Sequence, residues 1–146
     1  MKKTASEVVT EQKKTAAYQE LKISDSKITV VDKLHQRFDK IQKLDLSNNL
    51  LTTFGSISNT FNELKTLNVD SNSIQSLEEI YHLKKMPSLV NLCILNNPVG
   101  DYTNFRKIVL TLLPNLRSLN GMPITPVEQT QAADYCRRSF LLLPYL

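Results

Sequence analysis

The chain is poor in cysteine and glycine and has no tryptophan. Its two cysteines, Cys93 and Cys136, lie far apart and show no Cys-x-x-Cys spacing. A disulfide framework is therefore not expected, and a reducing intracellular compartment is. Gly55, Gly100 and Gly121 are isolated, which leaves no glycine-rich phosphate loop. No apolar run is long enough to span a bilayer; the greasiest stretch, 140–146, is short and holds Pro144. The start, Met1-Lys2-Lys3-Thr4, is basic but no apolar region follows, so no secretory signal is expected. There is also no block of about five or more like charges. The net charge is +4, and basic residues occur in scattered pairs: Lys2-Lys3, Lys13-Lys14, Lys84-Lys85 and Arg137-Arg138. That scatter fits a solvated surface better than a nucleic-acid stripe.

What is present is a globular composition and a strong internal period. With 146 residues, 41% apolar and 22% charged, the chain can build one continuous core. From Ile41, apolar residues fall at Leu44, Leu46, Leu51, Phe54, Ile57 and Phe61. A step of 23 residues brings the same offsets to Leu64, Leu67, Val69, Ile74, Leu77 and Ile80. Only the last offset fails, at Lys84, and Met86 stands two residues later. The same step backwards gives Tyr18, Leu21, Ile23, Ile28, Val31, Leu34 and Phe38. A fourth start at Leu89 brings Leu92, Ile94 and Val99. Asn49, Asn72 and Asn97 share one offset, which Ser26 occupies in the first repeat.

The resulting motif, IQKLDLSNNLL, LKTLNVDSNSI and LVNLCILNNPV, resembles the leucine-rich repeat. The alternating pair, such as Leu44 and Leu46, reads as a short strand buried on one face. The asparagine amide can donate and accept at once, so stacked Asn49, Asn72 and Asn97 have a structural role. They would satisfy backbone groups that no strand ladder reaches. The later apolar residues pack a return segment against the strands. One repeat cannot bury its own apolar face, so stacking supplies the stability. The expected fold is an α/β solenoid: a short right-handed coil of about four leucine-rich repeats, with a parallel concave sheet and helical caps.

Three segments follow: 1–17, an N-terminal helix or tail; 18–125, the repeats with their cap; and 126–146, a C-terminal helix and apolar tail. Thr4-x-x-Glu7 reads as a capping box that opens a helix over 5–17; a loosely ordered basic tail is the alternative. After Asn97-Pro98, Asp101 reads as the N-cap of a helix carrying Tyr102, Phe105, Ile108, Val109 and Leu112, with Tyr102 and Phe105 expected in the core. Pro114 stops that helix, Leu116 and Leu119 begin another half-repeat, and Gly121 turns the chain. Residues 126–139 read as a helix, with Pro126 in its first turn and Glu128 near the positive end of its dipole. Cys136 on it reads as a small packing residue.

Asn97-Pro98, Tyr102, Phe105-Arg106, Leu113-Pro114, Leu116, Leu119 and Gly121 together resemble the cap of intracellular leucine-rich-repeat proteins. The subclass is typified by the repeat-bearing regulatory subunit of protein phosphatase-1. Its relatives include the spliceosomal A-prime protein, the leucine-rich light chain of axonemal dynein and small ciliary repeat proteins. The resemblance covers about 18–125. The lengthened repeat SIQSLEEIYHLKKMPSLVNLCILNNPV is most similar to small axonemal proteins.

Chemistry-bearing groups do not converge. His35 and His82 fall on return segments at offsets facing away from the strands, and read as surface histidines without a partner at metal-ligand spacing. No nucleophile elbow is present. No enzyme activity, cofactor, metal or small-molecule substrate is expected. Strand alternation puts Glu20, Lys22 and Ser24, then Lys43, Asp45 and Ser47, then Thr66, Asn68 and Asp70, then Asn91, Cys93 and Leu95 on the concave face. The first three rungs are polar. The last offers apolar surface, either to a partner's hot spot or to the chain's own cap or tail. The tail residues Phe140, Leu141, Leu142, Leu143, Tyr145 and Leu146 either fold back or dock on a partner. The candidate partner-binding residues are those of the last three rungs (Ser47 aside) and these tail residues other than Leu146.

The expected function is a non-catalytic protein–protein interaction module in a multi-subunit assembly, with the ciliary axoneme as the first reading. The alternative is a ribonucleoprotein subunit that binds an RNA-binding protein. Neither a membrane nor direct nucleic-acid contact is expected. The expected location is the cytoplasm or cilium, with the nucleus as the alternative.

Overall fold

The computed structural model describes residues 3–5, 19–31 and 40–139. Its elements in chain order are β1 (Lys3–Thr4), β2 (Glu20–Lys22), β3 (Ile28–Val30), β4 (Lys43–Asp45), α1 (Gly55–Thr60), β5 (Thr66–Asn68), α2 (Leu77–His82), β6 (Asn91–Cys93), α3 (Phe105–Leu112), β7 (Ser118–Leu119), β8 (Met122–Pro123) and α4 (Pro126–Arg138). Short 3-10 turns cover Leu83–Lys85 and Pro98–Asp101.

The strands are three residues or shorter because each repeat gives only one inward side chain at its centre. Those centres line up. Leu21 pairs with Leu44, Leu44 with Leu67, Leu67 with Leu92 and Leu92 with Leu119, all in parallel register. The sheet runs β2-β4-β5-β6-β7-β8, and only the final pair is antiparallel. Behind it the periodic residues close the core: Leu46, Val69 and Ile94, then Leu51, Ile74 and Val99, then Phe54 and Leu77, are all buried. The fold is thus a short leucine-rich-repeat solenoid. The step of 25 before Leu89 also has a structural cause. Helix α2 runs on into the 3-10 turn Leu83–Lys85, which absorbs the extra residues and leaves Leu83 and Met86 buried.

Each asparagine joins two repeats. Asn72 Nδ2 donates to the carbonyls of Leu46 and Val69, both at 3.0 Å, and its Oδ1 accepts from Leu51 N–H at 3.0 Å. Asn49 does the same toward Ile23 and Leu46, and accepts from Ser26 and Ile28. Asn97 donates to Val69 and Ile94 and accepts from Ile74. Ser26 has no side-chain amide, and among the described residues its hydroxyl bonds only locally, to Ser24 O. A fourth asparagine, Asn120, lies off the repeat offset yet accepts from Ile94 N–H at 2.8 Å. It holds a left-handed φ of 53° just before Gly121, so the Asn-Gly turn carries the ladder into the cap.

Lys3–Thr4 forms a strand on Ile28–Val30, and helix begins at the next residue, Ala5, so Thr4 stands at the position expected of its cap. Beyond Ala5, the helix expected over 5–17 lies outside the described residues, as do Tyr18, Leu34, His35 and Phe38. At the other end, Asp101 sits in the exposed 3-10 turn rather than at a helix cap. Helix α3 starts at Phe105, after Asn104 in a left-handed conformation with φ 61°. The 3-10 turn and this break put Tyr102 outside the helical stripe, so it is 42% exposed rather than in the core. Phe105 packs against the core from a half-buried position.

Helix α4 begins as expected at Pro126. Thr125 Oγ1 accepts from Glu128 N–H, and Glu128 reaches back to Thr125 N–H at 2.9 Å, which completes a capping box. Helix α4 packs on α3 through buried Ala132 and half-buried Tyr135.

Candidate protein-docking surface

The register that aligns the core leucines also aligns the residues on either side of them. Lys43, Thr66, Asn91 and Ser118 form one row across the sheet. Lys22, Asp45, Asn68 and Cys93 form the next. Neighbouring strands stand about 4.8 Å apart, so each row is a continuous contact surface. Ser47, Asp70 and Leu95 lie beyond, where the strands end. The sheet thus brings Lys43, Asp45, Thr66, Asn68, Asp70, Asn91, Cys93 and Leu95 onto one face. Phe140, Leu141, Leu142, Leu143 and Tyr145 lie outside the described residues.

Much of the face is internally organised. Asp45 Oδ1 accepts from Ser47 N–H at 2.9 Å and from its hydroxyl at 2.7 Å, and Asp45 stands 4.0 Å from Lys22 Nζ. Asn91 Nδ2 donates to Thr66 Oγ1 at 3.2 Å. Asn68 Oδ1 accepts from Asp70 N–H, and Asp70 Oδ1 accepts from Leu95 N–H at 2.7 Å. Asp70 therefore pins the backbone of the last rung while its charge stays on the face. Leu95 remains 50% exposed, so the C-terminal cap does not cover it. Leu50, one position past the Asn49 rung, is also 50% exposed. The motif leaves its position unspecified, so periodicity does not single it out.

The face carries mixed charge: Glu20, Lys22, Lys43 and Asp45 share its first two strands, and Asp70 stands at the Leu95 rung. Burial raises the Cys93 pKa, and the nearby charges of Asp70 and Asp45 add to the rise against a backbone hydrogen bond from Gly121. Cys93 is thereby held as a neutral thiol, which suits a contact residue and not a nucleophile.

His82 is not the open surface histidine expected. It is half-buried on α2, and a carboxylate stands three residues before it. Its Nδ1 lies 3.6 Å from Glu79 Oε2, too far for a hydrogen bond, and has no other partner among the described residues. Glu79 is occupied elsewhere. It accepts from Thr53 Oγ1 at 2.9 Å and Phe54 N–H at 2.7 Å, and so caps helix α1 of the preceding repeat. Among the described residues, no three His, Cys, Asp or Glu side chains gather as a metal site. No described helix is long and apolar enough to cross a membrane.

A second organised node ties down the cap. Arg106 Nε donates to Glu128 Oε1 at 2.6 Å, and the same guanidinium reaches Glu128 Oε2, Pro123 O and Leu119 O. The hydrogen bond from Arg106, followed by that from Thr125 N–H, lowers the Glu128 pKa to about 2.

A family model described as leucine-rich repeat matches residues 12–139. The chain belongs to the leucine-rich-repeat family. Among similar proteins, a histone of Tetrahymena thermophila is 36% identical over 41% of this leucine-rich-repeat chain and 16% of its own length. U2 small nuclear ribonucleoprotein A' of Saccharomyces cerevisiae is 32% identical over 46% of this chain and 29% of its own length. Dynein axonemal assembly factor 11 of Danio rerio is 33% identical over 41% of this chain and 12% of its own length. The chain therefore spans under a third of each of these curated relatives. The structure of the Drosophila melanogaster SNF/U2A' complex contains a chain with the same fold, at a TM-score of 0.77 and 20% identity, covering 88% of this leucine-rich-repeat chain and 75% of that one.

Proposed function

We propose that this chain is a non-catalytic docking module that holds a protein partner on its concave sheet. One observation carries the reading: the last rung leaves Leu95 half exposed beside the carboxylate of Asp70, on an otherwise polar face. Such an apolar spot with a charge at its edge is what a partner's anchor residue would bury. The partner segment that fits carries an apolar side chain for Cys93 and Leu95 and a basic one for Asp70. Charge would set its orientation and apolar contact its lifetime. Because Lys43 and Lys22 share the face with Glu20, Asp45 and Asp70, no basic stripe runs along it, and direct nucleic-acid contact is not part of the reading.

The finer proposal is a structural subunit of a large assembly. The ciliary axoneme is supported by the likeness to dynein axonemal assembly factor 11. A ribonucleoprotein, with an RNA-binding protein as partner, is supported by the likeness to U2 small nuclear ribonucleoprotein A'. Gentle purification of the tagged chain from its native cell, followed by mass spectrometry, separates the two. Axonemal or dynein-assembly proteins would support the first and spliceosomal proteins the second. A chain recovered alone, with the tag shown to be accessible, would contradict both.

A further inference from the structure

Helices α3 and α4 leave an apolar groove between them. Its walls are Leu110, Thr111 and Pro114 on one side and Gln129, Ala133 and Cys136 on the other, and it encloses about 390 Å³. The polar group in the first wall is already used, since Thr111 Oγ1 bonds the backbone carbonyls of Lys107 and Ala132. The groove therefore offers shape and apolar contact, with little demand for hydrogen bonds.

Its α4 wall points along the chain toward an occupant. Gln129, Ala133 and Cys136 are spaced by four and three, which makes them one stripe of the helix. Four residues further, the stripe reaches Phe140. The helix ends before that, at Arg138, with Ser139 extended at φ −104° and ψ 113°. The next seven residues, Phe-Leu-Leu-Leu-Pro-Tyr-Leu, carry no charge. Extended at about 3.3–3.6 Å per residue, they reach roughly 23–25 Å. The wall from Gln129 to Cys136 is shorter, roughly 10 Å at about 1.5 Å per helical residue. The segment is therefore long enough to run back along the whole groove.

We propose that residues 140–146 fold back into this groove, with Phe140 and the three leucines covering Leu110, Ala133 and Cys136. Tethering decides between this occupant and a separate one. A segment joined to the groove wall at Cys136 by three residues acts at an effective concentration on the order of millimolar, above that of a free competitor. Left outside, the same side chains would form a contiguous apolar patch at the end of the solenoid. This inference is independent of the concave-face reading.

Cys136 serves as a reporter, because it lies in the groove wall. The full chain is labelled with a maleimide at several protein concentrations, and each cysteine is followed by mass spectrometry. It is compared with the full chain carrying Phe140→Asp and Leu142→Asp. Cys136 should label about tenfold or more faster in the variant, at every concentration, while Cys93 labels equally in both. Equal Cys136 rates would overturn the proposal. Protection that grows with protein concentration would assign the groove to a second copy and overturn it too. A second variant, Ala133→Glu, changes an exposed wall position and puts a carboxylate in the groove. Chymotrypsin should then cut after Phe140, Leu141 or Leu142 about tenfold faster than in the unaltered chain. Unchanged cutting would contradict the fold-back.

Discussion

Between β4 and β6, each ladder asparagine is bonded to two repeats at once, whereas the C-terminal cap is drawn together by a single arginine. Asn72 is buried, uncharged and backed by Asn49 and Asn97 on either side. Arg106 is about one-third exposed, charged, and alone in reaching Leu119, Pro123 and Glu128 together. The repeat body is therefore held by many equivalent neutral bonds in a low-dielectric core, where each lost bond strands a buried group. The cap adds to its apolar packing one ionic node at the surface, where solvent and salt weaken it. The difference is between a region that fails all at once and one that can loosen by itself.

The largest expected effect is in the body. Asn72→Ala leaves Leu51 N–H and the carbonyls of Leu46 and Val69 without their partner. At about 1–3 kcal/mol per stranded buried group, the loss is about 3 kcal/mol or more. Urea unfolding should show it as a lowered midpoint with little change in slope. A midpoint within error of the unaltered chain would mean that the ladder is not what holds the repeats.

Next comes the cap. Arg106→Ala should speed amide exchange in α4 by about tenfold while β4, β5 and β6 keep their protection, since the stack closes without this residue. Loss of protection throughout would erase the contrast between the two regions.

The same node makes the cap sensitive to acid. An ordinary glutamate titrates near 4.5, and Glu128 is held at about 2. A carboxylate lowered on folding contributes its stability in full above its unfolded value and loses it as pH falls toward its folded one. The stability difference between the chain and a Glu128→Gln variant should therefore be largest above about pH 5 and shrink toward pH 2, with added salt reducing it at every pH. Urea titrations at several pH values would measure it, and a difference independent of pH would exclude the ionic account of the cap.

The smallest effect belongs to the helix start. Thr125→Ala removes one side of the capping box and should cost about 1 kcal/mol in α4, read by helical circular dichroism on heating. An effect as large as that of Asn72→Ala would reverse the ranking of body and cap.

What was legible in the amino-acid order follows the same division. Leu44, Leu67 and Leu92, and Asn49, Asn72 and Asn97, recur at fixed offsets because each repeat meets the same neighbours, so period alone places them. The cap has no period to read. Tyr102 and Phe105 have helical spacing, but Pro98 starts a 3-10 turn and Asn104 breaks left-handed, which shifts the stripe. Thr4 precedes helical Ala5 as a cap should, but its strand partner, more than twenty residues away, has no local signal. The roles of Glu79, Arg106 and Asn120 likewise depend on partners from 13 to 26 positions distant, in a neighbouring turn of the coil. On the concave face, alternation picks out the residues that face outward, but it does not show that Asp70 ties down Leu95 N–H or that Leu95 stays open beside the cap.

The most direct test of the concave-face reading is Leu95→Asp in the tagged full chain, expressed in its native cell beside the unaltered chain. Leu95 is half exposed and outside the core, so the variant should keep its helical signal and unfolding midpoint. The proteins that accompany the unaltered chain should fall by about tenfold or more, the loss expected when an interface anchor is replaced by a charge. The same proteins recovered in the same ratio with a folded Leu95→Asp chain would contradict docking on this face.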